Sequence, residues 1–407
     1  MRRRGRPSRR ILLCSITLGA VGSGLFLPIE LLYLIRVVGL ATATAGLTMA
    51  TAAALSLALP AVTGAMVDRF GSAKTFLVAR CTQIVGAAGL LLVHGVVGGF
   101  FASLFVMSGM RMFWSSVFAV VSDVVGEQDR EHGFALTGMV ESAGVAAGGL
   151  LAGVVLSLGD SPHVYRFVVA CNAALFMVGT LMATRGVRWR DDGGRGAGNA
   201  RSGYRDVLRH RSFLAFVLAS VPATMTISLF ARVLPVYAVS WLHAPAWVPG
   251  MLLGWITAVS AATRGSAVKA VVTLSRSRTV FSATSVFAVW TLALGAAVLV
   301  PDAMLVAYLF ALTLPFLAAD LLHGPVANAL VESLAPGELR GRYLAAFQYT
   351  YGVSDTLAPA FAALLVIWPP LPWLVATVML LLAAACMPAI FRRFPDTALR
   401  RVAAPSP

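Results

Sequence analysis

Residues 64–74 read Gly64-Ala65-Met66-Val67-Asp68-Arg69-Phe70-Gly71-Ser72-Ala73-Lys74. This charged, glycine-punctuated stretch separates two apolar runs, 43–66 before it and 76–97 after it. At 1.5 Å per helical residue either run covers the ~30 Å of a bilayer's hydrocarbon core. The stretch therefore reads as a turn at a membrane surface. Gly71 permits the tight turn. Gly64 is expected to let the end of the preceding span approach a neighbouring helix closely. Asp68 and Arg69 sit at the polar boundary, and Asp123 at the end of a later span is the natural partner for Arg69.

Outward from this turn the pattern repeats. Apolar runs bounded by charge, Gly or Pro fall at 11–34, 43–66, 76–97, 100–122, 133–158 and 166–186, then at 212–240, 247–274, 279–300, 303–326, 343–367 and 371–391. The expectation is an all-α membrane protein of twelve transmembrane helices in two six-helix bundles. Composition agrees: 58% of residues are hydrophobic and 12% charged, against about 25% charged in soluble domains. Mean hydropathy is +0.83.

A net charge of +15 invites a nucleic-acid reading. A phosphate-binding surface, however, gathers its cations on one folded face. Here they fill the short polar gaps between spans, so no nucleic-acid partner is expected. Of the 32 Lys and Arg, 26 fall on one side of the membrane when the spans alternate, with Arg80 counted among them. Two, Arg36 and Arg166, fall on the other side, and Arg111, Arg232, Arg264 and Lys269 lie within spans. By the positive-inside rule both termini are cytoplasmic. Arg-rich, Lys-poor usage with abundant Ala and Gly suggests a bacterial inner membrane. Residues 11–34 begin only three residues before Cys14, too soon for a lipoprotein signal, and are read as a retained first span. The four cysteines lie in four different runs with no metal spacing, so no metal site is expected.

The segment 188–211 is basic, polar and Gly-rich, and reads as a cytoplasmic linker between halves at 1–187 and 212–407. A faint repeat supports the halving. Glu127…Arg130 before span five recurs as Glu338…Arg340 before span eleven, and Gly64…Asp68 recurs loosely as Gly265…Lys269. Duplicated six-helix halves are a transporter signature.

The 64–74 stretch resembles the G-x-x-x-D-R-x-G-R-[RK] loop of the major facilitator superfamily, departing from it at Ser72 and Ala73. The layout of the whole chain resembles that family too. The resemblance implies secondary transport by alternating access. It also implies that Gly64, Asp68, Arg69, Gly71, Lys74 and Asp123 form a latch between states. Gly144-Val145-Ala146-Ala147-Gly148-Gly149 is similar to the G-P-x-x-G-G element of the family's antiporters, with Val145 replacing Pro. That similarity favours export. Independently of family, glycines at this spacing let helices pack closely.

Charges inside spans mark sites because a charge at mid-membrane is costly unless it faces a partner or water. The proton-coupling or substrate candidates are Asp355, Glu141, Arg111, Asp320 and Glu30. Arg111 lies ~18 Å and Glu141 ~12 Å above their cytoplasmic ends, so the two are expected to pair. Asp320 and Arg264 share a depth and are a second expected pair. Asp355 has no partner evident in the sequence. His323 reads as a satisfied packing residue, Lys269 as a side chain snorkelling to the surface, and Trp241, Trp247, Trp368 and Trp373 as an interfacial belt.

No phosphate-binding G-x-x-x-x-G-K-[ST] run occurs, so ATP-driven pumping is not expected. No nucleophile–base arrangement appears either, and the chain is not read as an enzyme. The expected protein is a monomer in the lipid bilayer. It has no cofactor, uses the proton gradient as its energy source and moves a small, amphipathic molecule outward. Import or facilitated passage on the same fold is the alternative. A non-transporting membrane protein is a third reading, for which the sequence shows neither an interfacial catalytic cluster nor an added soluble domain.

Overall fold

A computed structural model describes residues 6–125, 130–186, 207, 209–271, 275–335 and 339–399. Among these residues the chain is helical, without strands. The first span contains α1 (Arg6–Phe26), a 3₁₀ turn at Leu27–Ile29 and α2 (Glu30–Arg36). Pro28 sets this break: it has no N–H to give to the preceding turn, so the chain tightens and restarts with Glu30 as the first residue of α2. The second span is interrupted in the same way. α3 (Thr42–Ser56) and α4 (Leu59–Phe70) are separated at Leu57 and Ala58, with Pro60 in the first turn of α4. Gly71 then turns the chain at φ +88°, a conformation glycine adopts without steric cost.

α5 (Ser72–Leu92), α6 (Gly95–Val125), α7 (Arg130–Ser157) and α8 (Pro162–Gly186) follow. After them come α9 (Arg211–Ser240), α10 (Val248–Val271), α11 (Arg276–Gly295), α12 (Asp302–Leu334), α13 (Arg340–Ile367), α14 (Leu371–Phe391) and the short α15 (Asp396–Leu399). Among the described residues eleven helical segments are long and apolar enough to cross a membrane, and Val248–Thr263 is a shorter apolar helix. Eleven of the twelve expected runs coincide with these segments, and the run 247–274 falls on the shorter helix, with its last residues outside the described ones. Large apolar side chains such as Leu92, Leu158 and Leu299 are about four-fifths exposed. In water such a surface would aggregate; against lipid it is the ordinary exterior.

The chain forms two compact units. One takes in Met1–Gly198 and Ala231–Ala261, the other Asn199–Phe230 and Ala262–Pro407, so the division runs through α9 and α10. In the first unit α1 lies against α7 and α8, and α5 against α6 and α8. Its core includes Leu12, Ile16, Phe76, Phe113, Val117 and Val120. In the second unit α11 packs on α12 and α14. There Phe213, Phe216, Tyr343, Phe347 and Phe391 form a buried cluster. The linker expected at 188–211 lies almost wholly outside the described residues, as do the side chains of Arg130, Arg264, Lys269 and Arg340 and all of Glu127 and Glu338.

One expectation about the surface is overturned. Trp373 is fully buried and meets Trp290 edge-on at 6.2 Å between ring centroids. It packs the second unit's core, whereas Trp368 is half exposed. The aromatic count near a span's end says nothing about which way each ring points.

Candidate functional site

The 64–74 turn orders its neighbourhood differently from the sequence expectation. Ser72 Oγ donates to Asp123 Oδ2 at 2.5 Å. The hydroxyl that stands where the family loop carries a basic residue is thus the partner Asp123 takes. Arg69 lies over the Phe70 ring at 5.3 Å instead, and Asp68, Arg69 and Lys74 are exposed. The expected Arg69–Asp123 pair is replaced because Ser72 begins α5 directly below the end of α6. Gly64 is corrected as well: a Cβ there would meet nothing within 4 Å, so no neighbouring helix requires glycine at that place.

The α7 glycines behave as expected. A Cβ on Gly144 would lie 2.6 Å from Ala20 Cβ, and one on Gly148 would run into the Val21 carbonyl of α1. On another face, a Cβ on Gly149 would come 2.7 Å from the Gly254 nitrogen. Gly153 approaches Met251 in the same way. Gly149 and Gly153 thus match Gly250 and Gly254 at four-residue spacing, the small-xxx-small crossing that brings two backbones together.

Three charged arrangements lie inside the first unit. At its first, Arg80 is 3% exposed although the sequence counted it among the cytoplasmic cations. It sits eight residues into α5, ~12 Å from the start of the helix. Its guanidinium stacks over Phe113 at 3.9 Å, with Phe76 and Phe176 at 5.5 and 5.6 Å. Nη1 donates to Gln83 Oε1 at 3.0 Å. Gly19 makes the room, since a Cβ there would lie 2.7 Å from Nη1. Glu141 on α7 is the charge that acts on Arg80. The signal for this site was in the sequence: Arg80 stands inside the apolar run 76–97, where a surface cation does not belong.

The second arrangement is Arg111, whose Nε donates to Ser56 Oγ at 2.7 Å. The expected pairing of Glu141 with Arg111 gives way to Glu141 facing Arg80. Equal depth brought Arg111 and Glu141 level but left open which face of each helix they occupy. The third is Glu30 with Arg232, Oε2 to Nε 3.8 Å, both side chains about one-twentieth exposed. The Pro28 break aims Glu30 at α9.

The second unit holds carboxyls against hydroxyls. Ser228 Oγ donates to Asp355 Oδ1 at 2.7 Å. One residue earlier on α13, Ser354 Oγ shares a 2.8 Å hydrogen bond with Thr224 Oγ1, one turn before Ser228 on α9. Asp320 on α12 acts electrostatically on Tyr351. Tyr351 precedes Asp355 by four residues and so lies on the same face of α13. Asp320, Tyr351, Asp355 and Ser228 lie on α12, α13 and α9 of the second unit, joined by the Ser228–Asp355 hydrogen bond and the electrostatic action of Asp320 on Tyr351. The Asp320–Arg264 expectation lies outside the described side chains. His323 is fully buried beside Phe287, and neither ring nitrogen has a hydrogen-bond partner among the described residues. It packs, but it is not satisfied as the sequence reading expected.

A family model described as Major Facilitator Superfamily matches residues 11–354. The chain belongs to the major facilitator superfamily. Solved structures share the fold of this superfamily member at low identity. A crystal structure of the nucleoside transporter NupG superposes with a TM-score of 0.79 at 11% identity, covering 94% of this chain and 99% of that one. A D-xylose–proton symporter gives 0.74 at 15%, covering 96% and 98%. A POT family transporter in complex with 5-aminolevulinic acid gives 0.73 at 12%, covering 94% and 96%. No curated protein matches the sequence. As a member of the superfamily the chain has the fold of a multi-pass membrane transporter.

Proposed function

We propose that the protein is a secondary transporter that exports a small amphipathic molecule in exchange for protons. The observation that carries this reading is the Ser228–Asp355 hydrogen bond inside the second unit, with Asp320 acting on Tyr351 one turn away. Proton coupling needs a carboxyl that two conformations hold differently. A carboxylate held by a serine hydroxyl can exchange that bond for a proton of its own without leaving a bare charge in the membrane. Asp355 is the first proton carrier in this scheme and Asp320 the second. Glu141, facing Arg80 in the first unit, responds to substrate. Glu30 is tied to Arg232 and is the weakest carrier of the set. Alternating access comes from helices that slide at small-residue crossings such as Gly149–Gly254 while the 64–74 loop latches one state.

Uptake or facilitated passage is the second reading, and one observation favours it. α7 runs unbroken from Arg130 to Ser157, with Val145 in place of the proline that the antiporter element carries. Inverted vesicles energised by respiration decide between the two. Export by proton exchange predicts accumulation of lipophilic cations or neutral drugs inside inverted vesicles, abolished by a protonophore. Accumulation only in right-side-out vesicles would replace export by uptake, and equilibration indifferent to the protonophore would leave a facilitator.

A further inference from the structure

At the ends of α11 and α14 lies an open groove of about 400 Å³ lined by Ser277, Arg278, Phe281, Ser282, Pro388 and Phe391. The volume is within the ~300–1,000 Å³ of small-ligand sites. Among the described residues no acidic side chain lines it. Ser277 and Arg278 belong to the first turn of α11, whereas Pro388 and Phe391 belong to the last turn of α14, so the cavity lies at one end of the helix pair. By the charge count this is the end on the arginine-rich side of the membrane.

Two features give the cavity a polar end and an apolar end. Arg276 is occupied: its Nη1 donates to the Ala398 carbonyl at 3.0 Å. The neighbouring Arg278 is exposed and its guanidinium has no partner among the described residues. Arg392 and Arg393, also exposed, follow directly on Phe391. Away from these arginines the two helices expose apolar side chains. Phe281, Val289, Val378 and Leu381 are each about two-fifths to two-thirds exposed along the same two helices. One ligand chemistry meets both ends, a phosphodiester with hydrocarbon chains.

We infer that this groove binds one anionic phospholipid of the cytoplasmic leaflet. Its phosphate sits on Arg278 between the Ser277 and Ser282 hydroxyls, and its acyl chain lies over Phe281 and Pro388. Anionic headgroups are drawn to basic clusters at the cytoplasmic face. Arg278 supplies planar paired donors for a phosphate. The inference stands apart from the transported molecule and from the direction of transport.

The test is native mass spectrometry of the full-length protein titrated with phosphatidylglycerol or with phosphatidylcholine of the same chains. The first phosphatidylglycerol is expected to bind about five-fold more tightly, the scale of one arginine near a headgroup. Arg278→Ala should bring the two lipids to near equality, while Arg278→Lys keeps most of the preference. Ser282→Trp, which fills the cavity from an exposed position, should remove the preference with every arginine in place. Equal binding by the wild-type protein would overturn the inference, as would a preference that survives Arg278→Ala or Ser282→Trp. Displacement of the lipid by excess inorganic phosphate would show a free-anion site and overturn it too.

Discussion

The two units set different groups beside the charges inside their helices. In the first, Arg80 is walled in by Phe76, Phe113 and Phe176 and tied to Gln83, and Glu30 is tied to Arg232. In the second, Asp355 accepts a hydrogen bond from Ser228 Oγ, and Asp320 acts electrostatically on Tyr351. A guanidinium cannot give up its proton in a protein, so it must be held, and rings and carboxyl or amide oxygens hold it. A carboxyl can change its charge, and hydroxyls accommodate both forms because they donate and accept. The contrast assigns rigidity to the caged guanidinium of Arg80 and proton chemistry to the carboxyls, Asp355 first.

The same contrast orders the expected effects of substitution. The largest is steric: Gly148→Leu drives a side chain into the Val21 backbone and is expected to leave no monodisperse protein on size-exclusion chromatography. Next comes Arg80→Ala, which removes a caged cation and leaves Glu141 facing no charge. A loss of about 3 kcal/mol is expected, read as a lower thermal midpoint in detergent. Equal stability in this variant would break the claim that the caged Arg80 is structural. Ser72→Ala removes the hydroxyl held by Asp123 and should cost about 1 kcal/mol. Gly64→Ala meets open space, so its midpoint should stay within about 0.5 kcal/mol of wild type. A large loss at Gly64 would mean that another conformation closes on it, which would sharpen the latch reading.

The spans and the helix-packing glycines were legible in the sequence, and the partners of the charges were not. Long apolar runs read clearly because a bilayer demands them whole. Gly144, Gly148 and Gly149 read clearly because close backbone approach has one chemical solution. The faces of the helices did not read, because lipid and a membrane protein's interior are equally apolar and no polar stripe marks the outside. That is why Arg111 was matched to Glu141 by depth while Arg80 faces that glutamate from α5. It is also why Trp373 was placed in a belt and is found in the core. Ser228 and Tyr351 were invisible for a related reason: hydroxyls are frequent in spans, and their role appears only when a carboxyl on another helix comes within reach.

The central claim is that the second unit's carboxyls carry the proton, with Asp355 first. Proton movement in proteoliposomes, triggered by substrate and recorded with a trapped pH dye, tests it most directly in Asp355→Asn. Asn keeps the shape and can still accept from Ser228 Oγ, so the fold should hold with a thermal midpoint close to wild type. The account predicts that substrate-triggered proton movement disappears in this variant. Proton movement at the wild-type rate in a folded Asp355→Asn protein would contradict it and move the coupling site to Glu141 or Asp320.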